Sequence, residues 1–70
     1  MRKNRDYFMR YVRNAKNPWK FTQMVKIMRM AQDEDDLKNI SITFIVDLSF
    51  ERADICLALK CVETERGWKI

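Results

Sequence analysis

Histidine is absent from this chain, and its 70 residues include one glycine, one proline and two cysteines. Each scarcity excludes something. Without histidine the usual general base and the commonest metal ligand are missing. A single glycine leaves no Gly-rich loop to cradle a phosphate, and with a single proline it also leaves no long flexible linker. No run of about 18 apolar residues exists, so no membrane-spanning helix is expected. The basic N-terminus continues into Asp6, Tyr7 and Arg10 rather than an apolar segment, which is not the pattern of a secretory signal. Cytoplasm is the expected compartment. Cys56 and Cys61 without a histidine make a poor zinc site. They are expected to be two small buried hydrophobes, with an inter-chain disulfide or a reactive thiol as the alternative. No catalytic residue, metal or cofactor is expected, and an enzyme is not.

What is present is a globular profile, 47% hydrophobic and 34% charged, of a size for one small domain over residues 1–70. The charge is unevenly placed. Residues 1–30 hold nine Lys or Arg against Asp6 alone, a balance of +8, whereas residues 31–70 hold five against nine acids, a balance of −4. Such asymmetry suits a nucleic-acid-binding half, an acidic protein partner, or two halves that attract each other.

Residues 3–16 predict an amphipathic helix. Tyr7, Phe8, Tyr11, Val12 and Ala15 share one side; Arg2, Arg5, Arg10, Arg13 and Lys16 share the other, with Met9 among them. Asn17-Pro18 restarts the pattern as an N-cap followed by a first-turn proline. A second helix is predicted from Pro18 to Ala31, with Phe21, Met24, Val25, Ile27, Met28 and Ala31 on its apolar arc. Trp19 and Met30 fall on its polar side beside Lys26. Trp19 either folds back over the first helix or faces outward as a contact residue. Asp33-Glu34-Asp35-Asp36 lacks the alternation and the glycine of a calcium loop and is expected to be a solvated acidic connector.

From residue 40 the side chains alternate. Ile40, Ile42, Phe44, Val46, Leu48 and Phe50 point one way, and Ser41, Thr43, Ile45, Asp47 and Ser49 the other. Ile55, Leu57, Leu59 and Cys61 repeat the alternation. This predicts a hairpin pairing 41–49 with 55–63, and a short last strand over Trp68, Lys69 and Ile70 after a turn at Gly67. The fold class expected is α+β, two N-terminal helices packed on a small antiparallel β-meander in the order ααβββ. A helix over 50–66, begun at Ser49 and ended at Gly67, is the rival. It is set aside because Glu51, Arg52, Asp54, Lys60, Glu63, Glu65 and Arg66 would point all round it.

The N-terminal run Asp6-Tyr7-Phe8-Met9-Arg10, with Arg13, resembles the start of Hha-type nucleoid-associated modulators, over less than a quarter of the chain. That resemblance implies a helical protein of similar size, from which the alternation after residue 39 departs.

Function is therefore expected to be binding. Size, charge asymmetry and the lack of catalytic chemistry match the small inhibitors that phages and mobile elements make against host nucleic-acid machinery, anti-CRISPR proteins among them. Such a protein would dock a basic-aromatic helical face on an acidic or nucleic-acid-binding surface of a host protein. The alternative is a small nucleic-acid-binding or nucleoid-associated regulatory protein. The partner expected is a protein of a nucleic-acid-handling complex, with direct nucleic-acid binding and a homodimer left open. The docking face expected is Arg5, Met9, Arg10 and Arg13 with Trp19, Lys26 and Met30, since each lies off its helix's apolar stripe. The next candidate is a sheet back face around Ile45 and Val62.

Overall fold

The computed structural model describes residues 2–68, with side chains for 7–68, and among these it holds four helices and no strand. They are α1 (Arg2–Val12), α2 (Pro18–Met28), α3 (Glu34–Val46) and α4 (Arg52–Arg66). The α+β expectation is overturned: the predicted hairpin and its meander are two further helices. Lys69 and Ile70 of the expected last strand lie outside the described residues.

The reason lies in how residues 33–46 satisfy a helix. The Asp33 carboxylate accepts the Asp36 amide at 2.9 Å, and Glu34, Asp35 and Asp36 fill the first turn. Negative charge is favoured at that end of a helix, where unpaired amides and the macrodipole are positive. The acidic run is thus the start of α3, not a connector beyond α2. Leu37, Ser41 and Phe44 then face inward at helical spacing, with Ile40 half-buried beside them. The alternation is present in the residues but not in space. In a helix, residues two apart stand about 200° round the axis from each other, close to opposite sides, so Ile42 and Val46 face solvent while Phe44 is buried.

A bend at 47–51 leads into α4. Its inward stripe is Asp54, Ile55, Ala58, Cys61 and Val62. The charges that seemed to point all round this segment are not all on its surface. Asp54 is 1% exposed, and the Glu65 side chain is 3% exposed. Both are buried with partners, so a wheel that assigns every charge to solvent conceals the stripe. Gly67 ends α4 at φ 75°, and the amides of Gly67 and Trp68 turn back to the Thr64 and Glu63 carbonyls.

α4 is the central helix: α1, α2 and α3 all pack on it. α2 also touches α1 and α3, whereas α1 and α3 share no contact among the described residues. The core is Phe21, Met24, Val25 and Met28 from α2 with Leu37 and Phe44 from α3 and the α4 stripe. Val62, expected on a solvated sheet face, is fully buried in it. Phe8 and Tyr11 close it from α1, Phe8 lying 6.0 Å from Phe21 between ring centroids. α2 starts as its sequence predicts. The Asn17 side chain accepts the Lys20 amide at 3.1 Å and Pro18 follows in the first turn.

Candidate functional site

Met9, Arg10 and Arg13 stand on the outer side of α1, opposite the half-buried Tyr7, Phe8, Tyr11 and Val12, and all three are exposed. With Asn14 they line a recess of about 450 Å³. The helix ends at Val12, earlier than the expected residue 16. Arg13 and Asn14 form the turn that follows it, and the Asn14 side-chain amide donates to the Arg10 carbonyl at 3.3 Å. The recess is therefore polar at its rim and offers a methionine and two guanidinium groups. Arg5 lies on α1, but its side chain is outside those described.

On α2, Trp19 is 72% exposed, so it does not fold back over α1. Gln23 and Lys26, one and two turns on, are exposed on the same side, and Met30 in the turn after α2 is 76% exposed. Ile27, expected in the core, is also partly exposed on this helix. The structure makes two outward stripes of six of the seven expected contact residues, Arg5 lying outside the described side chains. The α1 recess has no lining residue from α2 among the described residues.

Not every cation faces outward. Arg29, in the turn that closes α2, grips Glu65 on α4 through two hydrogen bonds of 2.9 and 2.6 Å. The hydrogen bond from Glu65 holds the guanidinium more firmly charged than usual, although partial burial opposes this. Arg66 donates to the carbonyls of Arg29 and Ala31 at 2.9 and 2.7 Å and so closes the end of α2. The Asp54 carboxylate accepts the Lys16 amide at 2.8 Å on one oxygen and the Asn17 amide at 2.9 Å on the other. These residues hold the α1–α2 corner in place, and thereby set the bearing of the two stripes.

Cys61 is buried and Cys56 exposed, and both thiols are free, so only one of the two is the expected buried hydrophobe. Burial pushes the Cys61 thiol up to about 12, and the Glu65 carboxylate nearby adds to this.

A third surface differs from the expected sheet back face, in which Ile45 faces outward but Ile42, Val46 and Leu48 face the other way as parts of a strand. Ile42, Ile45 and Val46 stand outward on α3, and Leu48 in the bend after it is 94% exposed. The signal was available: positions 42, 45 and 46 are one helical face, at spacings of three and four. Among the described residues no helix is long and apolar enough to cross a membrane. Comparison with protein-family models, with curated proteins and with solved structures returns no match to this chain.

Proposed function

We propose that this chain is a non-enzymatic, nucleoid-associated type of regulatory protein that works in the cytoplasm and lays the outer side of α1 on nucleic acid. The observation that carries this reading is the one-sided charge at the α1–α2 corner. Arg10, Arg13 and Lys16 are all exposed there, while the nearest core-side carboxylate, Asp54, is turned inward onto backbone amides. Cations left on one face without interspersed acids are the electrostatic footprint of phosphate binding. The Asp6–Arg13 resemblance supports the same reading to the extent that it implies a helical protein, and the described residues are all-helical. Fluorescence anisotropy with labelled duplex DNA tests it. Three phosphate contacts give a log–log salt slope of about −2.7, and Arg10→Glu with Arg13→Glu abolishes binding. No binding at low salt rejects the proposal.

A second reading, in which the chain inhibits a protein of a nucleic-acid-handling complex, is favoured by the outward Trp19 and Met30 beside Lys26. Tryptophan, methionine and arginine are enriched at protein interfaces, and tryptophan and arginine dominate their hot spots. The two readings separate on one substitution. DNA binding through α1 is indifferent to Trp19→Ala, whereas docking on a protein through α2 loses about 2 kcal/mol or more with it.

A further inference from the structure

Of the two tryptophans, Trp68 is half-buried against the core and lies under the Arg66 guanidinium, 4.4 Å from the centre of its ring. Trp19 is 72% exposed, and no ring or cation of this chain covers it among the described residues. A ring left in water gives up the burial through which an aromatic side chain ordinarily stabilises a fold. We propose that Trp19 is a base-stacking residue through which the chain binds single-stranded nucleic acid, the phosphates on either side of the stacked base being held by Lys16 and Lys26. This role for Trp19 rests on the nucleic-acid binding proposed for α1 and carries the strand across the corner onto α2.

Three observations carry it. The first is charge. No acidic residue occurs between Asp6 and Asp33. Of the cations in that stretch, Arg29 is taken up by Glu65, and Lys20 by the Ser49 carbonyl and the Phe50 ring. Asp47, in the same bend as Ser49, has Lys20 beside it as its counter-charge, about 100° round α2 from Trp19. Arg10, Arg13, Lys16 and Lys26 are exposed, and among the described residues their side chains make no hydrogen bond or ion pair. Unpaired cations without interspersed acids suit a polyanion. The second observation is placement. Trp19, Gln23 and Lys26 share one face of α2 at spacings of four and three, with Lys26 about 10 Å along the axis from Trp19. Lys16 stands three residues before Trp19, and the Asp54 carboxylate fixes the backbone there by accepting the Lys16 and Asn17 amides at 2.8 and 2.9 Å. The ring is thus bracketed by a cation on each side, so a strand that follows the cations passes over it. Aromatic rings set among cations are how single-strand sites of low sequence preference are built, because every base has a face to stack. The third observation is what surrounds the ring. The exposed residues on its side within two turns of α2 are Gln23 and Lys26, so it is not part of an apolar patch of the kind that marks a protein interface. A duplex keeps its bases stacked on one another and offers the ring no free face, whereas an unpaired strand does.

Fluorescence anisotropy of the full chain with labelled oligothymidylate, beside a labelled duplex of the same length, tests this. Trp19→Ala is expected to weaken single-strand binding about tenfold or more and to leave duplex binding unchanged. The slope of log affinity against log salt should stay as it was, because a ring releases no counterions. Trp19→Phe, which keeps a ring, should recover part of the loss. In a Trp68→Phe background Trp19 is the one tryptophan, and its fluorescence should be quenched by oligothymidylate but not by heparin, which has the charge without the bases. A single strand whose binding ignores Trp19→Ala overturns the stacking role and leaves duplex binding through α1 standing. A weakening that comes with a shallower salt slope overturns it too, since the ring then acts only by placing the cations. So does quenching by heparin equal to that by oligothymidylate. A single strand lost with Trp19→Ala, beside a duplex that does not bind at all, keeps the stacking site and rejects the duplex reading. No binding of either at low salt rejects both and leaves Trp19 to docking on a protein. Trp19 is exposed, and unchanged helical circular dichroism confirms that each variant is folded.

Discussion

The two flanks of α4 are held by different forces. On the α1–α2 side the ties are polar and long-range: Asp54 to the Lys16 and Asn17 amides, Arg29 to Glu65, and Arg66 to the end of α2. On the α3 side they are apolar. Leu37 and Phe44 pack inward, with Phe50 edge-on to Phe44 at 4.9 Å. Among the described residues no side-chain hydrogen bond joins α3 to another helix. The Ser41 and Thr43 bonds stay within its own turns and Asp36 accepts only the Gln32 amide of the connector before it, and the nearest tie, Lys20 to the Ser49 carbonyl at 2.7 Å, lies in the bend beyond it. Directional bonds set an orientation, whereas apolar contact tolerates small shifts at little cost. The flank that carries the proposed nucleic-acid face is thus the one whose geometry is specified, and α3 is free to present an apolar outer side.

The sharpest way to break this contrast is Asp54→Ala. It removes two charge-assisted hydrogen bonds and leaves the two amides of the α1–α2 corner without their partner. The expected loss is about 3 kcal/mol, seen as a lower urea midpoint by circular dichroism. Asp54→Asn, which keeps one acceptor oxygen, should recover part of it. A loss below about 1 kcal/mol would mean that the corner is held by packing, as α3 is. The next effect is that of Arg29→Ala, which strands the buried Glu65 carboxylate. Breaking a wholly buried pair costs about 3–5 kcal/mol. Arg29 itself is 41% exposed, so solvent screening reduces the expected loss to about 2 kcal/mol. Arg29→Ala with Glu65→Leu should restore most of it, because the penalty is the unpaired charge rather than the missing bridge.

How much of this was legible in the sequence follows the same division. α1 and α2 could be read because their apolar stripes are regular and because Asn17-Pro18 is a start signal with one meaning. α3 could not, since two patterns compete over 40–50. Alternate residues are apolar, as in a half-buried strand, because the helix carries apolar groups on its outer side too; an outer face with Ile42, Ile45 and Val46 erases the polar half of the helical pattern. The deciding signal was the acidic run, whose position fits a helix N-terminus as well as a C-terminal flank. α4 was concealed by Asp54 and Glu65, charged residues whose partners lie 36 to 38 positions away in the chain. No local pattern reveals that such a group is buried. The expected contact residues Met9, Arg10, Arg13, Trp19, Lys26 and Met30 could be found as exposed positions because they sit on, or in the turn just after, the two helices that could be read.

The smallest expected effect on stability is that of Trp19→Ala. A tryptophan in the first turn of a helix is ordinarily worth several kcal/mol when buried, so the result depends on where its area goes. Here most of the side chain faces solvent, and no hydrogen bond or ring contact holds it among the described residues. Its removal should shift stability by no more than about 0.5 kcal/mol. The α2 start does not depend on it either, since Asn17 and Pro18 supply the cap. A urea titration beside that of Asp54→Ala makes the comparison direct: two residues at the same corner, one holding the fold and one held by it. If Trp19→Ala proves as costly as Asp54→Ala, the corner relies on an apolar contact that the exposed position does not provide, and Trp19 cannot belong to a docking stripe.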